Sequence, residues 1–259
     1  MDVKNIILAV TLTATLPMPL HGQQKECDSL YVDNRCVENY RFKWKQTILP
    51  VSLISAGAVA LAPSFIRNGS RSITHSVIDL RRGNKRLEFD NYIQYLPVAG
   101  SLMIGCTCIK AKHSLRDRFF IVATSYASLA VFTNIPKFCI DEKRPEFVGH
   151  NSFPSGHTAT VFMGAELVRI EYGGWYGVGA YTIAAGVGFL RMYNGRHWFH
   201  DVVAGAGVGI LSARVGEWSA QLWQKIFQKS GKSDYNFVFT PVATPMSGGY
   251  CGFTMGCYF

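Results

Sequence analysis

Residues 119–137 read FFIVATSYASLAVFTNIPK, eighteen uncharged residues closed by a single lysine. A membrane-spanning helix takes ~20 mainly apolar residues, with a range of about 17–25. The stretch therefore reads as a spanning helix that delivers Lys137 to one membrane face. Working outward, similar runs recur at Gln46–Ile66, Tyr92–Ile109, Trp175–Leu190 and Val202–Ala213, with another starting near His157 and reaching Val168. Six such runs exceed what a single soluble core needs, which favours a helical membrane bundle over a soluble protein with buried glycine-rich helices. Two runs carry small residues at four-residue spacing: Gly205 and Gly209 in one, and Ala180, Ala184 and Gly188 in the other. In lipid such faces let helix backbones approach closely.

Composition agrees. Only 17% of the 259 residues are charged, against about 25% in soluble domains, while 48% are hydrophobic. This excludes a disordered chain, a collagen-like chain and a small disulfide scaffold. The net charge of +9 comes from basic blocks between the apolar runs. Residues 67–91 hold six of these basic residues, mixed with Ile73, Val77, Ile78 and Leu80. The segment reads either as an amphipathic helix at a membrane surface or as a solvated loop. No basic stripe with interleaved aromatics points to nucleic acid.

The ends differ from the middle. Lys4, the uncharged stretch Ile6–Leu20 and the small residue Gly22 make 1–22 a signal peptide or an uncleaved anchor. Residues 23–45 are polar, 46–216 form the expected membrane domain, and 217–259 form a tail whose last part suggests a short β-hairpin. The fold class is thus an all-α, six-helix transmembrane bundle with a hairpin-like tail. Of seven cysteines, Cys27 with Cys36 and Cys251 with Cys257 are spaced as disulfides would be in an exported chain.

Three polar blocks carry the chemistry. Lys137-x6-Arg144-Pro145 sets two cations beside an apolar helix end, either an anion site or a pair of snorkelling residues. Pro154-Ser155-Gly156-His157 opens a helix, whose free N–H groups and positive dipole end attract anions. Arg191-x5-His197-x3-Asp201 brings a carboxylate one helical turn from an imidazole, holding one ring nitrogen and freeing the other as nucleophile or base. His200 precedes Asp201 without an evident partner, and a His197/His200 metal pair is the weaker reading of that spacing. The expected topology brings all three blocks to one face. Three cations, a helix N-terminus, two histidines and a carboxylate there suit phosphoryl transfer without a metal.

In this order and spacing the blocks resemble the type 2 phosphatidic acid phosphatase superfamily, which also includes bacterial acid phosphatases and vanadium haloperoxidases. The resemblance covers roughly residues 46–216. It implies that His197 forms a phosphohistidine, that Asp201 orients it, and that His157 is the general acid and then the base for water. It further implies that Lys137, Arg144, Ser155, Gly156 and Arg191 bind phosphate, with no cofactor and no metal. Two features depart from the family pattern. Leu190 stands where the family usually has serine, and only eight residues separate Pro145 from Pro154.

The implied activity is a membrane phosphatase acting on a lipid phosphate or diphosphate, such as lipid A phosphate, undecaprenyl diphosphate or phosphatidate. The alternatives are a vanadium-dependent haloperoxidase and a non-catalytic lipid-binding or transport protein. The implied location is the bacterial inner membrane, multi-pass. Basic residues divide almost evenly between the two faces, so the positive-inside rule does not orient the bundle. The habit of bacterial relatives of working on envelope lipids favours a periplasmic site.

Overall fold

The computed structural model describes residues 44–62, 65–107, 109–229, 236–243 and 251–258, all in the second of two units, Cys36–Phe259. The expected signal peptide at 1–22 and the Cys27–Cys36 pair lie outside the described residues, as do the side chains of Cys251 and Cys257.

The helices are α1 Lys45–Val59, α2 Phe65–Asp79, the single turn α3 Asp90–Ile93, α4 Leu96–Met103, α5 Leu115–Cys139, α6 Gly156–Tyr172, α7 Gly174–Tyr193 and α8 Phe199–Lys229. Strands β1 Asn236–Ala243 and β2 Cys251–Tyr258 pair antiparallel, with Asn236 opposite Tyr258 and Ala243 opposite Cys251.

The sequence opening on Phe119 is part of α5, whose N-cap Ser114 accepts from the Asp117 backbone N–H at 3.2 Å and whose last turn holds Lys137. It is the one helix among the described residues that is long and apolar enough to cross a membrane by length and composition. The expected six-helix count is not met among the described residues. The run 92–109 breaks into α3, α4 and a 3-10 turn at Ile104–Cys106. Pro97 lies in the first turn of α4, where its missing N–H is tolerated, whereas inside one continuous helix its ring would clash with the preceding turn.

The run His157–Val168 contains Glu166. That carboxylate is buried and accepts from Arg169 Nε at 2.7 Å and Tyr181 Oη at 2.6 Å, with Arg214 Nη2 at 2.6 Å. The buried charges lie at the pole remote from the three blocks.

α8 is the spine, with α1, α5 and α6 packed along it. Each neighbour meets α8 at a glycine. A Cβ on Gly207 would lie 2.6 Å from the Pro50 carbonyl of α1, one on Gly216 2.6 Å from the Ile121 carbonyl of α5, and one on Gly209 2.8 Å from the Met163 nitrogen of α6. Around these approaches sit Ile121, Leu129, Ala159, Met163, Leu167, Val208 and Ala213. Of the small-residue face of α7, Ala180 and Ala184 pack with Val187 on Val161, Ala165 and Val168 of α6, while a Cβ on Gly188 would lie 3.0 Å from Val202 Cγ1 of α8.

The 67–91 segment divides: its first part belongs to α2, and residues 80–89 are turn and irregular chain. The buried positions of α2, Ser70 and Thr74, are polar, while Ile66 and Ile73, seven apart and on one face, are exposed at 51% and 46% among exposed polar residues.

Gly209→Ala puts a methyl group against the α6 backbone and is expected to cost about 1–3 kcal/mol or more. Gly179→Ala, which meets nothing within 4 Å, should leave thermal unfolding in detergent unchanged.

Candidate active site

Two helix N-termini meet at one end of the bundle. The start of α6 follows a loop held by the Ser155 N–H, which donates to the Asp201 carbonyl at 3.1 Å. A Cβ on Gly205 would lie 2.6 Å from the Ser155 carbonyl, so glycine is what lets α8 reach that loop.

The N–H groups of Trp198, Phe199 and His200, where α8 begins, are used. Trp198 N–H donates to Asp201 Oδ2 at 2.9 Å, Phe199 N–H to Thr74 Oγ1 at 2.9 Å, and His200 N–H to Ser70 Oγ at 3.0 Å. α2 thus caps α8 from a distant part of the chain. At α6, by contrast, the cap residue Ser155 makes no side-chain capping bond. Among the described residues, the N–H groups of Gly156 and His157 have no partner. Such groups, with the helix dipole behind them, attract an anion. The Ser155 hydroxyl accepts from Thr158 Oγ1 at 2.9 Å, which leaves its own proton to donate.

Lys137 stands over this open end, its Nζ 3.7 Å from where a Gly156 Cβ would sit. Neither Lys137 nor Arg144 forms an ion pair among the described residues. The neighbouring arginines differ. Arg67 and Arg71 of α2 hold Glu142 at 2.9 and 3.0 Å, Arg81 and Arg86 hold Glu146 at 2.7 and 3.2 Å, and Arg196 approaches Glu88 at 3.4 Å. Arg191, buried at the end of α7, keeps Nη1 on Asp90 Oδ2 at 2.8 Å. The Nε atoms of Arg144 and Arg191 are buried without a partner among the described residues.

His197 lies in the turn between α7 and α8 and is buried. Its Nδ1 donates to the Ser152 carbonyl at 2.8 Å. A carbonyl only accepts, so the neutral ring carries its proton on Nδ1 and offers the Nε2 lone pair. Asp201 Oδ2 lies 3.6 Å from the same Nδ1 and accepts from Ser152 Oγ at 2.5 Å. The spacing of four does bring carboxylate and imidazole together, but the shorter bond on the ring comes from the Ser152 backbone. Burial lowers the His197 pKa from its ordinary value, against the opposing pull of Asp201.

His157, half-buried in the first turn of α6, has Nε2 3.0 Å from Asn91 Oδ1. His200 has partners that its sequence context did not reveal. Ser70 Oγ, which accepts from the His200 N–H, lies 2.8 Å from His200 Nδ1, and the carboxylate oxygen Asp201 Oδ1 lies 3.4 Å from Nε2, which favours the ring proton on Nε2.

The structure therefore gathers Lys137, Ser155, Gly156, His157, Arg191, His197 and Asp201 at one pole. Arg144 lies in the loop between α5 and α6, its backbone N–H donating to the Gly149 carbonyl at 3.3 Å, close enough for its charge to act on Lys137 and His197. Ser70, Thr74, Asp90, Asn91, Glu142 and Ser152 were not foreseen. Of these, the Arg-rich, half-apolar segment 67–91 gave the only hint, as an amphipathic pattern.

Residues 118–225, the segment that holds all three blocks, match the PAP2 superfamily. The chain is similar to a lipid A 1-phosphatase of Porphyromonas gingivalis, 29% identical over 258 residues, covering 93% of this chain and 55% of that protein. It is also similar to the bacitracin transport permease protein BcrC of Bacillus licheniformis, 33% identical over 99 residues, 38% of this chain and 44% of that one. The chain thus spans about half the length of the curated relatives it matches.

Among solved structures, Aquifex aeolicus LpxE aligns with a TM-score of 0.43 at 21% identity, covering 56% of this chain and 92% of its own. A transmembrane PAP2-type phosphatidylglycerolphosphate phosphatase from Bacillus subtilis aligns with a TM-score of 0.47 at 17% identity, covering 72% of this chain and 98% of its own.

Ser70→Ala and Thr74→Ala each remove a cap from α8 and should cost about 1 kcal/mol. Hydrogen exchange should quicken at the amides of Phe199 and His200, and remain unchanged in the middle of α7.

Proposed function

We propose that the protein is a metal-independent membrane phosphatase that hydrolyses a lipid phosphate through a phosphohistidine on His197. The observation that carries this reading is the pairing of an uncapped helix N-terminus at Gly156 with unpaired Lys137 and Arg144, beside a buried imidazole whose Nε2 is the free ring nitrogen. Arg67, Arg71, Arg81, Arg86 and Arg196 at this pole are matched by Glu142, Glu146 and Glu88, whereas Lys137 and Arg144, beside the open helix end, have no ion pair among the described residues.

Lys137, Arg144, Arg191, the Ser155 hydroxyl and the Gly156 amide hold the phosphoryl oxygens. His197 Nε2 attacks phosphorus, the bond to the leaving oxygen breaks, and His157 protonates that oxygen. His157 then takes a proton from water, which attacks the phosphohistidine, releases inorganic phosphate and restores His197. Asp201 and the Ser152 carbonyl hold the His197 ring and stabilise the charge it gains on attack.

The Porphyromonas relative, similar over 93% of this chain, favours a lipid A phosphate over undecaprenyl diphosphate or phosphatidate. The exposed apolar side chains of α2, α5 and α7, among them Phe65, Phe138 and Trp175, support insertion in a bilayer, with several helices crossing the bacterial inner membrane. The catalytic pole is assigned to the periplasmic side, where envelope lipids are remodelled.

Purified protein should release phosphate from lipid A in mixed micelles faster than from phosphatidate or undecaprenyl diphosphate. His197→Ala should abolish release from all three, and chelators should leave the rate unchanged. An active His197→Ala variant, or inhibition by chelators, would overturn the mechanism.

The pH profile follows from the lowered pKa of His197. The nucleophile is neutral at pH 7 and is lost only as it gains a proton. The acid limb of kcat/KM should therefore lie below about pH 6.5, the ordinary histidine value.

A further inference from the structure

α3 is a single turn lying outside all three blocks, yet it supplies two side chains to their residues. Asp90, fully buried, takes one arm of Arg191. The next residue, Asn91, sets its side-chain oxygen 3.0 Å from His157 Nε2. A carboxamide oxygen accepts and does not titrate, so it holds a proton on that nitrogen throughout a reaction cycle. Backbone contacts fix the turn itself: Asn91 N–H donates to the Glu88 carbonyl at 3.2 Å, and Gln94 Nε2 donates to the Asn91 carbonyl at 2.7 Å.

We infer that Asn91 is a positioning residue for His157, holding the ring so that Nε2 keeps its proton and Nδ1 alone exchanges one. The inference rests on the phosphatase reading above. Charged His157 gives its Nδ1 proton to the leaving oxygen and becomes the neutral Nε2–H form. Nδ1 then takes the proton of the attacking water, and the ring is again charged for the next cycle. A ring not held by Asn91 would divide between two neutral forms, only one of which serves the second half. This is the role a backbone carbonyl plays for His197, transferred to a side chain from another element. The charges facing His157 are Arg191 from α7, Asp90 from α3, and His197 with Arg196 from the turn before α8.

Two variants of Asn91 and one of His157 test the inference, each in the full-length protein with phosphate release read from lipid A in mixed micelles across pH. Asn91→Ala should lower kcat about tenfold or more with KM little changed. Asn91→Asp keeps the shape and the acceptor but adds a negative charge within hydrogen-bond distance. It should retain more activity than Asn91→Ala and move the alkaline limb up by about one pH unit or more. A role in folding alone would lower the yield or the melting temperature without moving that limb.

Wild-type kcat and an unshifted profile in Asn91→Ala, or an unshifted alkaline limb in Asn91→Asp, would overturn the inference. His157→Ala separates it from its parent. If His157→Ala is inactive while both Asn91 variants behave as wild type, the positioning role fails and the phosphatase reading stands. If His157→Ala is fully active, both fail.

Discussion

The capping of α8 by α2 is the constraint on which the rest of the site depends. A helix that begins in a buried setting leaves its first N–H groups without partners, each costly to bury unpaired. α8 begins at such a place, because His197, Asp201 and the Ser155 carbonyl must all meet there. Its donors are satisfied by Asp201 itself and by Ser70 and Thr74. With those donors satisfied, the N–H groups of Gly156 and His157 at the start of α6 are the ones that stay open of the two helix ends meeting here, among the described residues. The polar buried positions of α2, Ser70 and Thr74, follow from this duty.

Charge is distributed with the same logic. Glu142 and Glu146 lie in the short loop between α5 and α6 and tie down four arginines from α2 and the segment after it. Glu142 is nearly buried, so loss of its partners would strand a carboxylate. The loop is thereby stitched to α2 and to the turn before α8. A Cβ on Gly195, which has φ of 65°, would run into Glu146, so that turn is shaped around the same carboxylate. Trp198 joins the assembly through its Nε1–H, which donates to the Lys143 carbonyl at 2.6 Å, and through Arg71, which lies 4.9 Å above its ring. The short distance between Pro145 and Pro154 leaves no slack, and its one acidic residue, Glu146, serves as an anchor, as does Glu142 just before it.

Much of this was legible in the chain. The run ending at Lys137 gave the long α5, the four-residue spacings of small residues marked the faces of α7 and α8 that pack closely, and the three blocks named the residues that gather at one pole. The second run breaks before Pro97, but Pro50 and Pro136 lie inside the continuous helices α1 and α5, so a proline in an apolar run does not by itself say where the run breaks. His200 was set aside because its partner Ser70 is 130 residues away. Asp90, Asn91 and Ser152 were missed for the same reason: an Asp-Asn pair at a helix start or a serine in a loop is ordinary until its neighbours are known.

By itself the sequence determined which chemical groups are present and on which turn of which helix they stand, since helix periodicity fixes spacing along one element. Only the tertiary structure decided which of those groups carry uncompensated charge. Pairing depends on what other elements bring within a few ångströms. Arg191 and Lys137 look alike as flanking cations in the chain, yet one is held by Asp90 and the other faces the open end of α6. That difference separates an arginine with one arm already in an ion pair from a lysine with no ion pair among the described residues, and it comes from the packing of α3, α5 and α7 around α6.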